Sequence, residues 1–136
     1  MNPTNGILNL RLIYAALLLG PIVFLGILLT VLQNRTLSPI PNLELIGLGV
    51  GFVGASMALF IPKIMASNHK VETGLDSRYF LLKMIQWSVL ESNILTNVTF
   101  FFLNNSITNV YVSIVLLAIL AFLFPSENER KRYFPN

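Results

Sequence analysis

The chain has no cysteine and a single histidine, His69, in its 136 residues. The first absence excludes disulfides, thiolate metal ligands and a cysteine nucleophile. The second excludes a multi-histidine metal centre built within one chain. Charge is also scarce, at 11% of residues, against roughly 25% in an ordinary soluble protein. No polar stretch is long enough for a separate catalytic domain. The largest internal one, "ASNHKVETGLDSR" (residues 66–78), mixes both charge signs and carries no nucleotide-binding motif. No nucleophile–base pair, catalytic carboxylate pair or metal-ligand cluster stands at a working spacing. The reading is therefore a non-enzymatic protein with no metal and no cofactor.

What the chain has instead is apolar length. Hydrophobic residues make up 54% of it, more than a soluble fold of this size can hide, so the expected class is an integral membrane protein. Four runs carry the hydrophobicity, at residues 12–32, 45–62, 79–103 and 108–124. About 20 apolar residues cross the hydrocarbon core at 1.5 Å of rise each. The first run is longer than the roughly 7–15-residue apolar region of a signal peptide, so it is expected to remain as a span. Gly20-Pro21 should kink it, because proline removes an amide donor and crowds the preceding turn. The short "NNSITN" turn makes the last two spans an antiparallel hairpin, and a polar tail occupies residues 125–136.

Basic residues set the orientation. With four spans, Arg11, Lys63, Lys70, Arg78, Lys83, Arg130, Lys131 and Arg132 fall on one side, and Arg35 alone falls on the other. Cationic loops resist translocation, which places the crowded side and both termini in the cytoplasm. The net charge of +3 is explained by this asymmetry and does not imply nucleic acid. Tyr79, Tyr111 and Tyr133 suit the membrane interfaces. Asn34-Arg35-Thr36 matches a glycosylation acceptor, a short pattern that chance often produces.

Two segments carry more specific signals. In the second span, Gly47, Gly51 and Ala55 recur every four residues, with Gly54 and Ala58 on a neighbouring stripe. Such small residues let two helix backbones approach closely. They suit packing within the chain, above all against the third span, or a surface for oligomerisation or for a narrow ion path. In the third span, "WSVLESNILTN" (residues 87–97) places Glu91 near the bilayer midplane. An ionised carboxylate there costs roughly 2.5–3.5 kcal/mol on insertion scales, so Glu91 must be neutral, paired or beside water. At 100° per residue, Ser88, Glu91, Ser92, Thr96 and Thr99 share one face, and Lys83, Gln86, Asn93 and Asn97 share a second. Trp87, Ile94 and Val98 lie between them and are the expected lipid-facing positions. Lys83 is eight residues from Glu91, about 12 Å of rise, and is expected to snorkel toward the cytoplasmic headgroups. Two roles are open for these groups. Gln86, Asn93 and Asn97 with Glu91 act as interhelical glue, or Glu91 with Ser88, Ser92 and Thr96 binds a proton or cation.

The order "LIYAALLLGPIVFLGILL", "WSVLESNILTNVTFFFLNN" and a last apolar helix ending in "FP" resembles a group of small uncharacterised bacterial four-span proteins. Members often carry an alanine-leucine-leucine-glutamate-glycine run in the third span. "SVLES" matches it at Leu90 and Glu91 and has Ser92 where glycine is usual. The resemblance covers nearly the whole chain and implies a bacterial inner (cytoplasmic) membrane but no known activity. Residues 47–104 are similar in outline to the proteolipid ring subunit of rotary ATPases, which pairs a glycine-rich helix with one bearing a midmembrane carboxylate. That resemblance implies a proton or sodium carrier at Glu91. The loop lacks that family's arginine-glutamine-proline turn, and two further spans flank the hairpin.

The expectation is an all-α, four-helix integral membrane bundle with both termini cytoplasmic. It serves as a small non-enzymatic membrane subunit or scaffold. Its partners are the lipid bilayer and either copies of itself or other membrane subunits. The alternative is a proton- or sodium-translocating or -sensing protein that uses Glu91.

Overall fold

A computed structural model describes residues 3–31, 40–67, 75–126 and 128–129. These residues form four long helices and no strand. The helices are α1 (Pro3–Val31), α2 (Leu43–Ser67), α3 (Leu75–Asn104) and α4 (Ile107–Phe122). His69, Lys70, Asn34-Arg35-Thr36, Arg130, Lys131, Arg132 and Tyr133 lie outside the described residues.

The helix boundaries follow from local chemistry. Asn105 ends α3 in the left-handed region, at φ 49°, and its N–H donates to Phe101 O at 2.7 Å. This is the αL cap that glycine usually supplies; asparagine tolerates it better than other side chains. Ser106, with extended backbone, is the N-cap of α4, so only two residues separate the helices. Asn42, at φ 66°, turns the chain into α2 and accepts from Ile46 N at 3.0 Å. At its far end, α4 closes with Leu123 N–H shared between Ile119 O and Leu120 O. Pro125, two residues on, cannot continue the helix.

The sequence placed the end of the second span at Pro62, but α2 runs on to Ser67 with Pro62 inside it. Proline at 62 cannot donate to Ala58 O, four residues back. Gln86 Nε2 of α3 makes that bond instead, at 2.7 Å. A neighbouring helix thus repairs the backbone gap, which is how proline is tolerated inside apolar helices.

The helices alternate in direction. At one end, Tyr14 of α1 meets Trp87 of α3, with ring centroids 5.2 Å apart, and its hydroxyl donates to Leu120 O and Ala121 O of α4. At the other end, Ile40 N, just ahead of α2, donates to Asn104 Oδ1 of α3 at 2.5 Å. The hub is α3, which packs against all three other helices, whereas α1 and α2 barely meet. One side of α3 is therefore left uncovered between them.

By length and composition α1 and α2 can each cross a membrane. Their spans Asn9–Val31 and Leu43–Met65 have mean hydropathies of 2.6 and 2.0. The buried stripe of α1 is narrow, comprising Leu10, Tyr14, Pro21, Leu25 and Leu28, at the three- and four-residue spacing of one helix face. Much of the remaining surface of both helices is exposed and apolar, as at Phe52, which is 76% exposed. The 16 residues of α4 rise about 24 Å.

Candidate functional site

The two polar faces of α3 have opposite fates. Gln86 and Asn97 are buried against α2, as is most of Asn93. The glycines of α2 make this possible. A Cβ on Gly54 would collide with the Asn93 amide, and one on Gly47 would stand 2.7 Å from Asn97 Oδ1 and run into the Asn109 side chain. A Cβ on Gly51 would strike Val112 of α4. Gly47, Gly51, Gly54 and Ala58 are buried and Ala55 partly so; the bare backbone leaves space for Asn93 at Gly54, for Asn97 and Asn109 at Gly47 and for Val112 at Gly51. By contrast, a Cβ on Gly20, Gly26 or Gly49 would meet nothing within 4 Å.

The amides run the length of the seam. Gln86, Asn93, Asn97 and Asn104 follow one another at seven, four and seven residues, a heptad-like spacing that keeps them on one side of α3. Eighteen residues separate the first from the last, about 27 Å of rise. Asn97 Nδ2 donates to Asn93 O at 3.1 Å and Asn93 Nδ2 to Val89 O at 2.6 Å. From α4 the seam receives Asn109 and Ser113, both fully buried, with Ser113 Oγ donating to Asn109 O at 2.8 Å.

The second face points out of the bundle. Ser88, Ser92 and Thr99 are exposed, while Glu91 and Thr96 sit half-buried on its two edges. Three of the hydroxyls bond back to their own helix: Ser92 Oγ to Val89 O, Thr96 Oγ1 to Ser92 O and Thr99 Oγ1 to Leu95 O. Glu91 has no hydrogen-bond or ion-pair partner among the described residues.

Two sequence expectations are corrected here. Trp87, Ile94 and Val98, expected to face lipid, are fully buried. They occupy the side of α3 covered by α4 and α1, where the Trp87 indole N–H donates to Leu123 O at 3.3 Å. Lys83, expected to snorkel outward, is also fully buried. Its Nζ lies 2.7 Å from Glu129 and 3.3 Å from Leu123 O, so the cation joins the C-terminal end of α4 to the tail. A positive charge there complements the unpaired carbonyls of the helix end. Tyr79 completes the cluster, its hydroxyl 3.2 Å from both Ser126 O and Glu129 Oε2.

Sequence reasoning missed Tyr14, Asn109, Ser113 and Glu129. Asn109 falls both in the expected "NNSITN" turn and at the start of the expected fourth span; it is the third residue of α4, and asparagine so close to an apolar run was the available signal. Nothing local marks Tyr14 or Glu129, whose partners lie 106 and 46 residues away in sequence. An apolar groove of about 390 Å³ also runs between α2 and α4, past Leu48, Phe52, Tyr111 and Val115. It has almost no polar lining to orient a polar ligand.

No family model, curated protein or solved structure matches the chain.

Proposed function

We propose that this chain is a small non-enzymatic subunit or scaffold of a membrane, built as a four-span bundle with both termini cytoplasmic. The bacterial inner membrane is the compartment the reading assigns. Support for insertion comes from the apolar outer surfaces of α1 and α2 and from the placement of Arg11, Lys63, Arg78 and Lys83 toward one end of the bundle. Reporter fusions at each terminus test the orientation; a periplasmic signal from either end would reverse it.

The carrying observation is the outward face of α3. Three of its hydroxyls, on Ser92, Thr96 and Thr99, bond back to their own helix, so they tolerate lipid. Glu91 does not, and a carboxyl facing hydrocarbon at mid-span is unfavourable by a few kcal/mol. Another protein therefore covers this face, either a second copy or a different membrane subunit offering a donor at the same depth. Because the chain lacks cysteine, single replacements report cleanly on that contact. Ser92→Cys and Thr99→Cys, carrying a photo-crosslinker in native membranes, should capture a protein neighbour, whereas Phe52→Cys should not. Equal and purely lipidic capture at all three positions would refute the reading.

The unpartnered Glu91 also favours a second reading, in which its carboxyl carries or senses a proton or sodium ion, with Ser88, Ser92 and Thr96 beside it. Here Glu91→Gln abolishes an ion-dependent activity while assembly persists. Unchanged ion dependence in that variant would remove this reading.

A further inference from the structure

Five buried side-chain atoms among the described residues lack a hydrogen-bond partner: Gln86 Oε1, Asn97 Oδ1, Ser106 Oγ, and both Oδ1 and Nδ2 of Asn109. All belong to α3 or to the start of α4. Buried polar atoms are ordinarily paired, and each left unpaired costs about 1–3 kcal/mol. Two of the five converge. Asn97 and Asn109 are fully buried, and both Oδ1 atoms crowd the position where Gly47 would carry a Cβ.

The free valences at this point are specific. Asn97 Nδ2 is already used on Asn93 O, and Asn109 O is taken by Ser113. What remains is two acceptor oxygens, the second N–H of Asn97 Nδ2 and both N–H groups of Asn109 Nδ2, with no formal charge. Glu91 lies about 120° around α3 from Asn97. Lys83 is fourteen residues away, about 21 Å of rise. A metal ion would receive two neutral side-chain oxygens and no counter-charge, which does not offset its desolvation. A small neutral molecule that donates to both oxygens and can accept from a free N–H fits the set. A buried water of this kind needs two to four polar partners, which this junction supplies.

We propose that Gly47, Asn97 and Asn109 form a binding site for one water molecule, which ties α2, α3 and α4 together. The site lies toward the end of the bundle at which α4 begins. Asn109 is the third residue of α4 and Gly47 the fifth of α2. Ser106, at the α4 N-cap with its own buried unpartnered hydroxyl, lies one turn nearer that end.

The test uses the full chain, labelled with ¹⁵N-asparagine, in nanodiscs. Cross-relaxation from water to the Nδ2 protons of Asn97 and Asn109 is measured, with Asn93 as the internal comparison. The site predicts a water cross-peak at Asn109 that is absent at Asn93 and is lost in Gly47→Ala, whose methyl group crowds both Oδ1 atoms. If Gly47→Ala does not fold, Asn97→Leu serves as the second variant and should also remove the cross-peak. Two results overturn the proposal. One is a wild-type spectrum with no water contact and a direct Asn97–Asn109 amide contact. The other is a saturable shift of both amides with sodium chloride but not with choline chloride, which would make this an ion site.

Discussion

The two polar faces of α3 are built from different residues, and the bundle handles them differently. The buried face uses amides. An amide is neutral and both donates and accepts, so Gln86, Asn93 and Asn97 can enter a glycine-backed seam, where Gln86 donates across to Ala58 O of α2 while Asn93 and Asn97 donate to Val89 O and Asn93 O of α3 itself. The outward face uses hydroxyls and one carboxyl. Ser92, Thr96 and Thr99 return their protons to carbonyls of α3 itself and ask nothing of their surroundings. Glu91 has no such return, so the demand for a partner outside the bundle rests on one residue.

The largest test of this contrast lies in the glycines. Gly54→Leu should destabilise the bundle by about 3 kcal/mol, since the added side chain displaces Asn93 in a filled seam. Gly49→Leu, into open space, should stay within about 0.5 kcal/mol. Thermal unfolding in a mild detergent compares the pair, and equal losses would mean that the seam is not tightly packed.

Next comes the charge at the seam's basic end. Lys83→Met removes the cation from Leu123 O and Glu129. Loss of a partner from a fully buried pair costs roughly 3–5 kcal/mol. The Glu129 side chain is 23% exposed and can turn to water, which reduces the expected loss to about 2 kcal/mol. The same unfolding measurement checks it, and a loss no greater than that of a surface lysine would break the assignment.

A smaller effect isolates one hydrogen bond. Gln86→Leu leaves Ala58 O without a donor and should cost about 1–2 kcal/mol. In a Pro62→Ala background residue 62 regains its N–H and can satisfy Ala58 O, so Gln86→Leu should cost less there. A double-mutant cycle reads this difference directly, and strict additivity would show that the repair across helices is energetically irrelevant.

The smallest expected change in bundle stability comes from the outward face. Glu91→Gln should alter unfolding by no more than about 0.5 kcal/mol, because no described residue pairs with the carboxyl. A loss comparable to that of Lys83→Met would place Glu91 in the bundle's own framework.

The four helices were legible because each apolar run is long and bounded by asparagine, proline or charge. The facing of α3 was harder to read. In a soluble helix an apolar stripe marks the core, but beside lipid both the core and the outside are apolar. Trp87, Ile94 and Val98 could not be assigned from periodicity, and what resolves them is contact with α1 and α4. The glycines of α2 were legible as a close-packing surface, but their fit to particular amides was not, because it depends on the register between α2 and α3. The second span appeared to end at Pro62 for a related reason: the side chain that compensates for the proline is on another helix. Lys83 looked like a headgroup anchor because its partner, Glu129, sits in a tail that sequence alone leaves unattached.

The most direct measurement is the native mass of the particle extracted in the gentlest detergent that keeps it dispersed. The account predicts a particle larger than one 15.2 kDa chain with its detergent. It also predicts that Ser92→Phe, which puts a bulky ring on the outward face of α3, reduces the particle to single chains that still unfold normally. A single-chain particle for the wild-type protein under every mild condition would contradict it, leaving the outward face of α3 exposed to lipid and Glu91 without the partner the account assigns.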